Sequence, residues 1–272
     1  MVKSVIKQIN NVQLIIYEYL REIVETKLKN NEVHIWLIKY DSKKVFTVCS
    51  ASTLSNEEVI KSNRFKRTQD GTVWAFFHTA VREILSRYVG FSAADIQFAL
   101  DQKQKPYLKN KVELPLYFNL SHSGHIALLA VTNLAPIGVD IEITKEIQDA
   151  KNVASKFFSK HENLGLLKIN NDKFFQHFYQ IWTAKESVIK ANGWGMSSPL
   201  DSFDVKVEHY AHWFSPILRP PIASTGVYWI KHLLLELNCC SAVCLNIIDE
   251  KSIIFLSLVF RIESVSIKDS GN

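Results

Sequence analysis

Asp140 and Glu142 lie two residues apart in the stretch "GVDIE", with Val139, Ile141 and Ile143 as their neighbours. In a strand, residues i and i+2 point to one face. The two acids therefore share a side, and the apolar residues take the other. Adjacent carboxylates repel unless one is protonated or a cation bridges them. Oxygen-only donors suit a hard divalent ion such as Mg²⁺, which keeps water and substrate phosphates among its ligands. Taken by itself, an Asp-x-Glu pair is more simply the solvated face of a strand.

Three further groups could add to this chemistry. In "WTAKESVIKANG" (182–193), Glu186 and Lys190 are four apart, so on a helix they share a face. Alone they make a surface ion pair of little energetic weight. Together with Asp140 and Glu142 they would supply a third carboxylate and a cation for a phosphate that the metal also holds. In "FNLSHSG" (118–124), Ser121 and His122 precede a tight turn. The imidazole there either binds phosphate, as a cation or through its N–H donors, or is a turn histidine in water. A Ser/His hydrolase is a weak rival, since the chain has no Gly-x-Ser-x-Gly elbow. The run "KSNRFKR", with Lys61, Arg64, Lys66 and Arg67, is a solvated basic face or a grip on a terminal phosphate.

These groups need elements to hold them. "VHIWLIKY" (33–40) predicts a strand. Residues 70–90 predict a helix with an apolar stripe through Trp74, Phe77, Val81, Leu85 and Tyr88, stopping at Gly90. "LYFNLS" and "HIALLAVT" predict a hairpin turning at Ser123-Gly124, and "IGVDIEI" a further strand. Residues 172–193 predict a second long helix capped by Gly193. "FDVKVEHY", "VYWIKHL", "SAVCLNII" and "IIFLSLVFRI" predict later strands. Each half is thus helix plus antiparallel sheet, an α+β plan. The division expected is an amphipathic helical extension over 1–30, an N-terminal lobe over 31–135 and a C-terminal lobe over 136–272. The seam near 134–137 is a natural place for a ligand cleft.

Composition sets the outer bounds. The chain has 272 residues, 47% hydrophobic, enough for a sizeable core, and a formal charge of +5. That balance is far from a nucleic-acid-binding tail, and it suits an acidic protein partner or a phosphorylated small molecule. Glu18, Arg21, Glu22 and Glu25 interrupt any membrane-length apolar run near the N-terminus, and no secretory signal pattern is present. Cys49, Cys239, Cys240 and Cys244 match neither a disulfide framework nor a zinc spacing. Free thiols in a reducing cytosol, and so a cytoplasmic protein without membrane or nucleic-acid partners, are the expectation.

The order "FNLSHSG", "PIGVDIE", "FFSKHE", "WTAKESVIKANGWG", "PLDSF" resembles the 4′-phosphopantetheinyl transferases of the surfactin-synthetase-activating type. The likeness runs from about Arg64 to about Phe203. No single motif is decisive, but five in register are specific. The resemblance implies two α+β lobes related by a pseudo-twofold axis, in a monomer, with coenzyme A in the cleft between them. It implies transfer of phosphopantetheine from coenzyme A to a serine of an apo acyl or peptidyl carrier protein, an acidic helical bundle. Adenosine 3′,5′-bisphosphate would leave. Residue by residue, Asp140, Glu142 and Glu186 match the carboxylates that hold Mg²⁺, with Mn²⁺ as an alternative. Lys190 matches the lysine on the pyrophosphate, His122 and Ser121 the phosphate-contacting pair, and Lys105-Pro106 the segment along the adenine. Lys61 and Arg64 fall where the family has basic residues on the coenzyme A side. Catalytic roles fall on Glu186, Lys190 and His122. Two positions depart from the pattern. Gln104 stands where the family has glycine, and Val73-Trp74 stands where it has an Arg-Thr or Arg-Ser pair, with Arg67 and Thr72 as neighbours that could substitute. Two other classes use the same cleft: a non-catalytic coenzyme A or carrier-protein binding module, and a metal-dependent phosphohydrolase.

Overall fold

The computed structural model describes residues 4–9, 12–17, 28–29, 32–41, 53–195, 198–207, 216–218, 227–235, 237–247 and 257–263. The first fifty-five residues supply three strands before the first helix among the described residues. They are β1 (Ser4–Ile9), β2 (Val12–Tyr17) and β3 (Glu32–Lys39). β1 and β2 pair antiparallel, so this stretch is a pair of strands and not the expected amphipathic helix. Its Val and Ile content fits strands at least as well as a helix. Of the expected extension over 1–30, residues 1–3, 10–11, 18–27 and 30 lie outside the described residues, as does Cys49.

Two helices follow, α1 (Asn56–Asn63) and α2 (Thr68–Val89). Next come β4 (Phe98–Leu100), β5 (Pro106–Leu108), β6 (Tyr117–Ser123), β7 (Ile126–Thr132) and β8 (Ile137–Ile143). Then α3 (Ala150–Phe157), α4 (Lys160–Leu166) and α5 (Asn171–Asn192) lead to β9 (Phe203–Asp204), β10 (Ile217–Leu218), β11 (Tyr228–His232), β12 (Cys239–Asn246) and β13 (Ser257–Glu263). The β6–β7 hairpin turns at Gly124-His125, one residue later than the sequence pattern suggests, with Gly124 at φ +55°. The stretch expected as a strand over 203–210 is a strand only at Phe203–Asp204 among the described residues.

Two sheets carry the fold, in orders β13-β3-β7-β6 and β11-β12-β8. The pairing of β13 with β3 is parallel, so the last strand among the described residues joins the sheet of the first lobe. The C-terminal lobe expected over 136–272 therefore gives its final strand away, which covers an edge of β3 that would otherwise be open. Core residues fall into three slabs. Val33, Ile35, Leu128 and Ala130 meet Val139, Ile141, Val243 and Leu245 between the sheets. On the outer face of the first sheet, Phe77, Ala80 and Ile84 of α2 cover Ile38, Leu129 and Val131. On the outer face of the second, Ile181, Ala184 and Val188 of α5 cover Ala242 and Cys244.

The two lobes repeat one buried device. At the start of α1, Ser55 and Glu58 form a capping box, and at the start of α4 Ser159 and Glu162 form another. Glu58 then accepts from Arg82 of α2 at 2.7 Å, while Glu162 pairs with Lys185 of α5 at 2.8 Å. Arg82 goes on to the carbonyls of Ala93 and Ile96 and lies over the Phe98 ring. Lys185 goes on to the carbonyls of Leu200 and Phe203 and lies over the Phe203 ring. Both long helices have 22 residues and end on a left-handed glycine, Gly90 and Gly193. Counted from the helix start, Arg82 matches Lys185, Glu83 matches Glu186 and Arg87 matches Lys190. This correspondence is a pseudo-twofold relation written in side chains.

Burial lowers the pKa of Lys185, and the Glu162 carboxylate opposes that shift. Removing one member of such a pair leaves a buried charge without compensation. Glu162→Gln should lower the unfolding free energy by ~3–5 kcal/mol, read from urea titrations.

Candidate active site

β6 and β8 are edge strands of different sheets, yet they run side by side in the same direction. Side chains of β6 take up groups on β8 that ladder bonds would otherwise fill. The Val139 N–H donates to Asn119 Oδ1 at 2.9 Å, and the Ile143 N–H donates to Ser123 Oγ at 3.1 Å. Ser121 Oγ donates to Asp140 Oδ1 at 2.7 Å, and Ser123 Oγ donates to Glu142 Oε2 at 2.8 Å. The face of β8 that carries Asp140 and Glu142 also approaches α5, at Gly138. A Cβ there would lie 2.1 Å from the Ser187 carbonyl oxygen and 2.3 Å from the Ala191 nitrogen, so only glycine permits this distance.

That close approach brings Lys190 onto the strand. Its ammonium donates to Asp140 Oδ1 at 2.5 Å and to Ser121 Oγ at 2.9 Å. Lys190 thus pairs across elements, not with Glu186 one turn back as the helical spacing alone suggests. Asp140 is 3% exposed, and its Oδ2 is buried without a hydrogen-bond partner. Burial raises the pKa of Glu142, the Ser123 hydroxyl opposes the rise, and the Asp140 charge adds to it. Burial, then Asp140, also raises Glu186, with Lys190 opposing. No hydrogen bond joins Glu186 to another described residue.

Asp140, Glu142 and Glu186 therefore interact electrostatically around one lysine. Among the described residues they do not converge into a ready-made cluster of three ligands. Their chemistry still fits a hard divalent cation. The donors are all carboxylate oxygens, one of those oxygens is buried and unpartnered, and two of the three acids are raised in pKa by burial and then by the Asp140 charge. Asp140, Glu142 and Glu186 are the residues that would hold it.

Ser121 and His122 face opposite ways, as strand alternation requires. Ser121 is committed to Asp140 and Lys190, whereas the exposed His122 stacks on Phe77 of α2, ring centroids 5.5 Å apart. Partial desolvation of the ring where it stacks on α2 lowers the pKa of His122, although the residue as a whole is exposed, and the His78 and Lys190 charges push the same way. His78, which the sequence reading missed, stacks on Trp74 at 3.7 Å and pairs with Glu58 at 3.3 Å. Its position four residues after Trp74 on the helix was the available signal. Lys61 Nζ lies 5.1 Å from the centre of the Trp74 ring, on the same wall. Trp74, where the family pattern has a hydroxyl residue, is buried beneath Lys61 and His78. Thr72 bonds its own helix through the Thr68 carbonyl, and Arg67 and Arg64 are exposed. The structure brings Arg64 into no side-chain contact with the other candidates among the described residues.

A separate cleft of about 440 Å³ opens beside the end of α5, lined by Lys105, Pro106, Tyr107, Tyr117, Pro136 and Ala191. Lys105 Nζ donates to the carbonyls of Ile137 and Ala191 at 2.9 and 2.8 Å. Its ammonium ties the lobes and caps the helix end, leaving its stem to line the cleft. Burial lowers its pKa to about 8. Gln104, where the family pattern has glycine, takes φ +65°, in a turn held by Asp101 Oδ1 accepting from the Lys103 and Lys105 N–H groups.

A two-lobed α+β fold carries acids and a lysine at the lobe junction, and comparison with known proteins identifies the class of enzyme. Residues 136–228 match the model of the 4′-phosphopantetheinyl transferase superfamily, and residues 39–134 match that of the 4′-phosphopantetheinyl transferase N-terminal domain. The 4′-phosphopantetheinyl transferase Sfp of Bacillus subtilis strain 168 is 38% identical over 157 residues, covering 57% of this chain and 67% of that protein. A second Bacillus subtilis 4′-phosphopantetheinyl transferase is 35% identical over 162 residues, 59% of this chain and 70% of that protein. HetI of Nostoc sp. PCC 7120 is 29% identical over 217 residues, 79% of this chain and 88% of that protein. The chain belongs to the 4′-phosphopantetheinyl transferase family. No helix among the described residues is long and apolar enough to cross a membrane.

The raised carboxylates carry a sign that can be checked. A folded pKa above the unfolded one means the fold binds more protons, so stability falls as pH rises from about 4.5 through the folded values of Glu142 and Glu186. In chelator-treated protein at pH 7, Glu186→Gln should raise the melting midpoint by a few degrees, and with Mg²⁺ restored the variant should lack activity. At pH 4 the gain should vanish.

Proposed function

We propose that this chain transfers the 4′-phosphopantetheine group of coenzyme A to a serine of an apo acyl or peptidyl carrier protein, with Mg²⁺ or Mn²⁺, releasing adenosine 3′,5′-bisphosphate. The observation that carries this reading is the junction of Ser121, Asp140 and Lys190. There a lysine and a buried carboxylate with one unpartnered oxygen meet between the two lobes. The raised pKa values of Glu142 and Glu186 beside that junction support a site for a charged ligand, because acids held above their ordinary pKa cost stability in the fold.

When bound, the divalent ion would neutralise the pyrophosphate and acidify what it contacts. The residues of the chain do the rest. Lys190, already aimed at Asp140, is placed to swing onto the phosphate oxygens and to hold the charge that builds on the leaving bisphosphate. The serine oxygen bonds to phosphorus as the bridging P–O bond breaks. Its proton goes to Glu186, whose raised pKa makes it a stronger base than an ordinary glutamate and whose oxygens have no hydrogen-bond partner among the described residues. His122, largely neutral near pH 7 because its pKa is lowered, can donate an N–H to a phosphate oxygen from the α2 side. The cleft at Lys105, Pro106 and Tyr107 would take the adenine, with Lys61 and Arg64 toward the coenzyme A side. A protein of this kind would work as a monomer in the cytoplasm.

Mixing the protein with coenzyme A, Mg²⁺ and an apo carrier, then weighing the carrier, tests the reading directly. A phosphopantetheine mass gain supports transfer. Binding without gain supports a module, and coenzyme A breakdown without carrier supports a phosphohydrolase. Lys190→Ala should cut the rate of mass gain by about 10²-fold or more. With 32 Lys and Arg against 27 Asp and Glu, the approach of an acidic carrier should be steered, so KM for the carrier should rise with added salt while kcat holds.

A further inference from the structure

β6 presents Asn119, Ser121 and Ser123 on the face turned to β8, and Phe118 and His122 on the face turned to α2. Ser121 serves Asp140 and Lys190, as described. Ser123 has a different pair of partners. Its hydroxyl offers one hydrogen and accepts at oxygen, and both are used across the lobe boundary. It accepts from the Ile143 N–H at 3.1 Å and donates to Glu142 Oε2 at 2.8 Å. The first bond fixes the hydroxyl on the backbone of β8. The second then fixes which way the Glu142 carboxylate points.

Resting on the transferase reading above, we infer that Ser123 is the positioning residue for Glu142: its hydroxyl, anchored on the Ile143 N–H, aims the Glu142 carboxylate toward the cation that the three acids share. Two features support this. Glu142 is only partly buried and sits next to the end of an edge strand, where a glutamate side chain with three rotatable bonds has several rotamers open to it. Asn119 meanwhile holds the same strand at Val139, two residues before Glu142's neighbour Ile141, so strand placement does not depend on Ser123 alone. Hydrogen-bond partners that orient a metal-binding carboxylate change metal affinity by roughly 10–100-fold when removed.

Mn²⁺ binding is the decisive measurement, followed by electron paramagnetic resonance titration with coenzyme A present, alongside the Mg²⁺ dependence of carrier modification. Ser123→Ala should weaken Mn²⁺ binding by roughly 10–100-fold and raise the half-saturating Mg²⁺ by a similar factor. At saturating Mg²⁺, kcat should stay near wild type. Ser123→Thr, which keeps the hydroxyl, should restore most of the affinity, whereas Ser123→Val, of the same shape without it, should not. That second pair reads the hydroxyl even where alanine disturbs the strand. In a Glu142→Gln background, Ser123→Val should cost nothing further. Equal Mn²⁺ affinity in the Thr and Val variants, or a full Ser123→Val loss persisting without the Glu142 carboxylate, would overturn the inference. A wild-type chain that modifies no carrier and binds no Mn²⁺ would instead overturn the transferase reading beneath it.

Discussion

Placing Asp140 in the junction between two lobes is the constraint on which the rest of the structure depends. A carboxylate that is 3% exposed must be compensated, and the compensation comes from both sides of the boundary. Lys190 arrives from α5 and Ser121 from β6, and both bond the same oxygen. The second oxygen is left over. Three features bring these elements together: the bare backbone at Gly138, the side-chain bonds from β6 to β8, and the Lys105 ammonium on the Ile137 carbonyl of β8 and the Ala191 carbonyl of α5.

The pseudo-twofold relation shows how such a site can arise on a symmetric frame. Both lobes bury a capping-box glutamate against a cation of the long helix, Glu58 with Arg82 and Glu162 with Lys185. That frame is structural in both halves. Beyond it the halves diverge. Lys190 meets a carboxylate on its neighbouring strand, while its counterpart Arg87 lies over the ring of Trp36 on β3, 5.3 Å from its centre. One lobe keeps an ion pair with acids in excess, and the other keeps a cation on an aromatic face. The chemistry is therefore gathered on the second lobe, with the first lobe contributing the β6 hydroxyls and the His122 wall.

Stability and reactivity pull against each other at this junction. Glu142 and Glu186 are held above their ordinary pKa values by burial and by Asp140. Such charges weaken the empty fold, and the same strain gives a cation or a proton somewhere to go. The buried pair of Glu162 and Lys185, remote in role from the reaction, ties α4 to α5, the helix that carries Glu186.

The sequence by itself determined the elements and the list of acids. Period-two alternation put Asp140 and Glu142 on one side of β8, and helical spacing put Glu186 and Lys190 on one side of α5, because those are properties of the local backbone. Five motifs in register named the family. Other matters were decided only by tertiary structure. Lys190 bonds Asp140 and not its helical neighbour, Ser121 and His122 part to opposite faces, Lys105 is spent on carbonyls, and β13 returns to the first sheet. Each depends on which elements meet and how closely, down to one glycine whose missing Cβ sets the gap between strand and helix. The alternation in "FNLSHS" did carry the hint that Asn119, Ser121 and Ser123 share a face. Local periodicity could not say that β8 would lie beyond that face, since contact between strands far apart in sequence is fixed by packing.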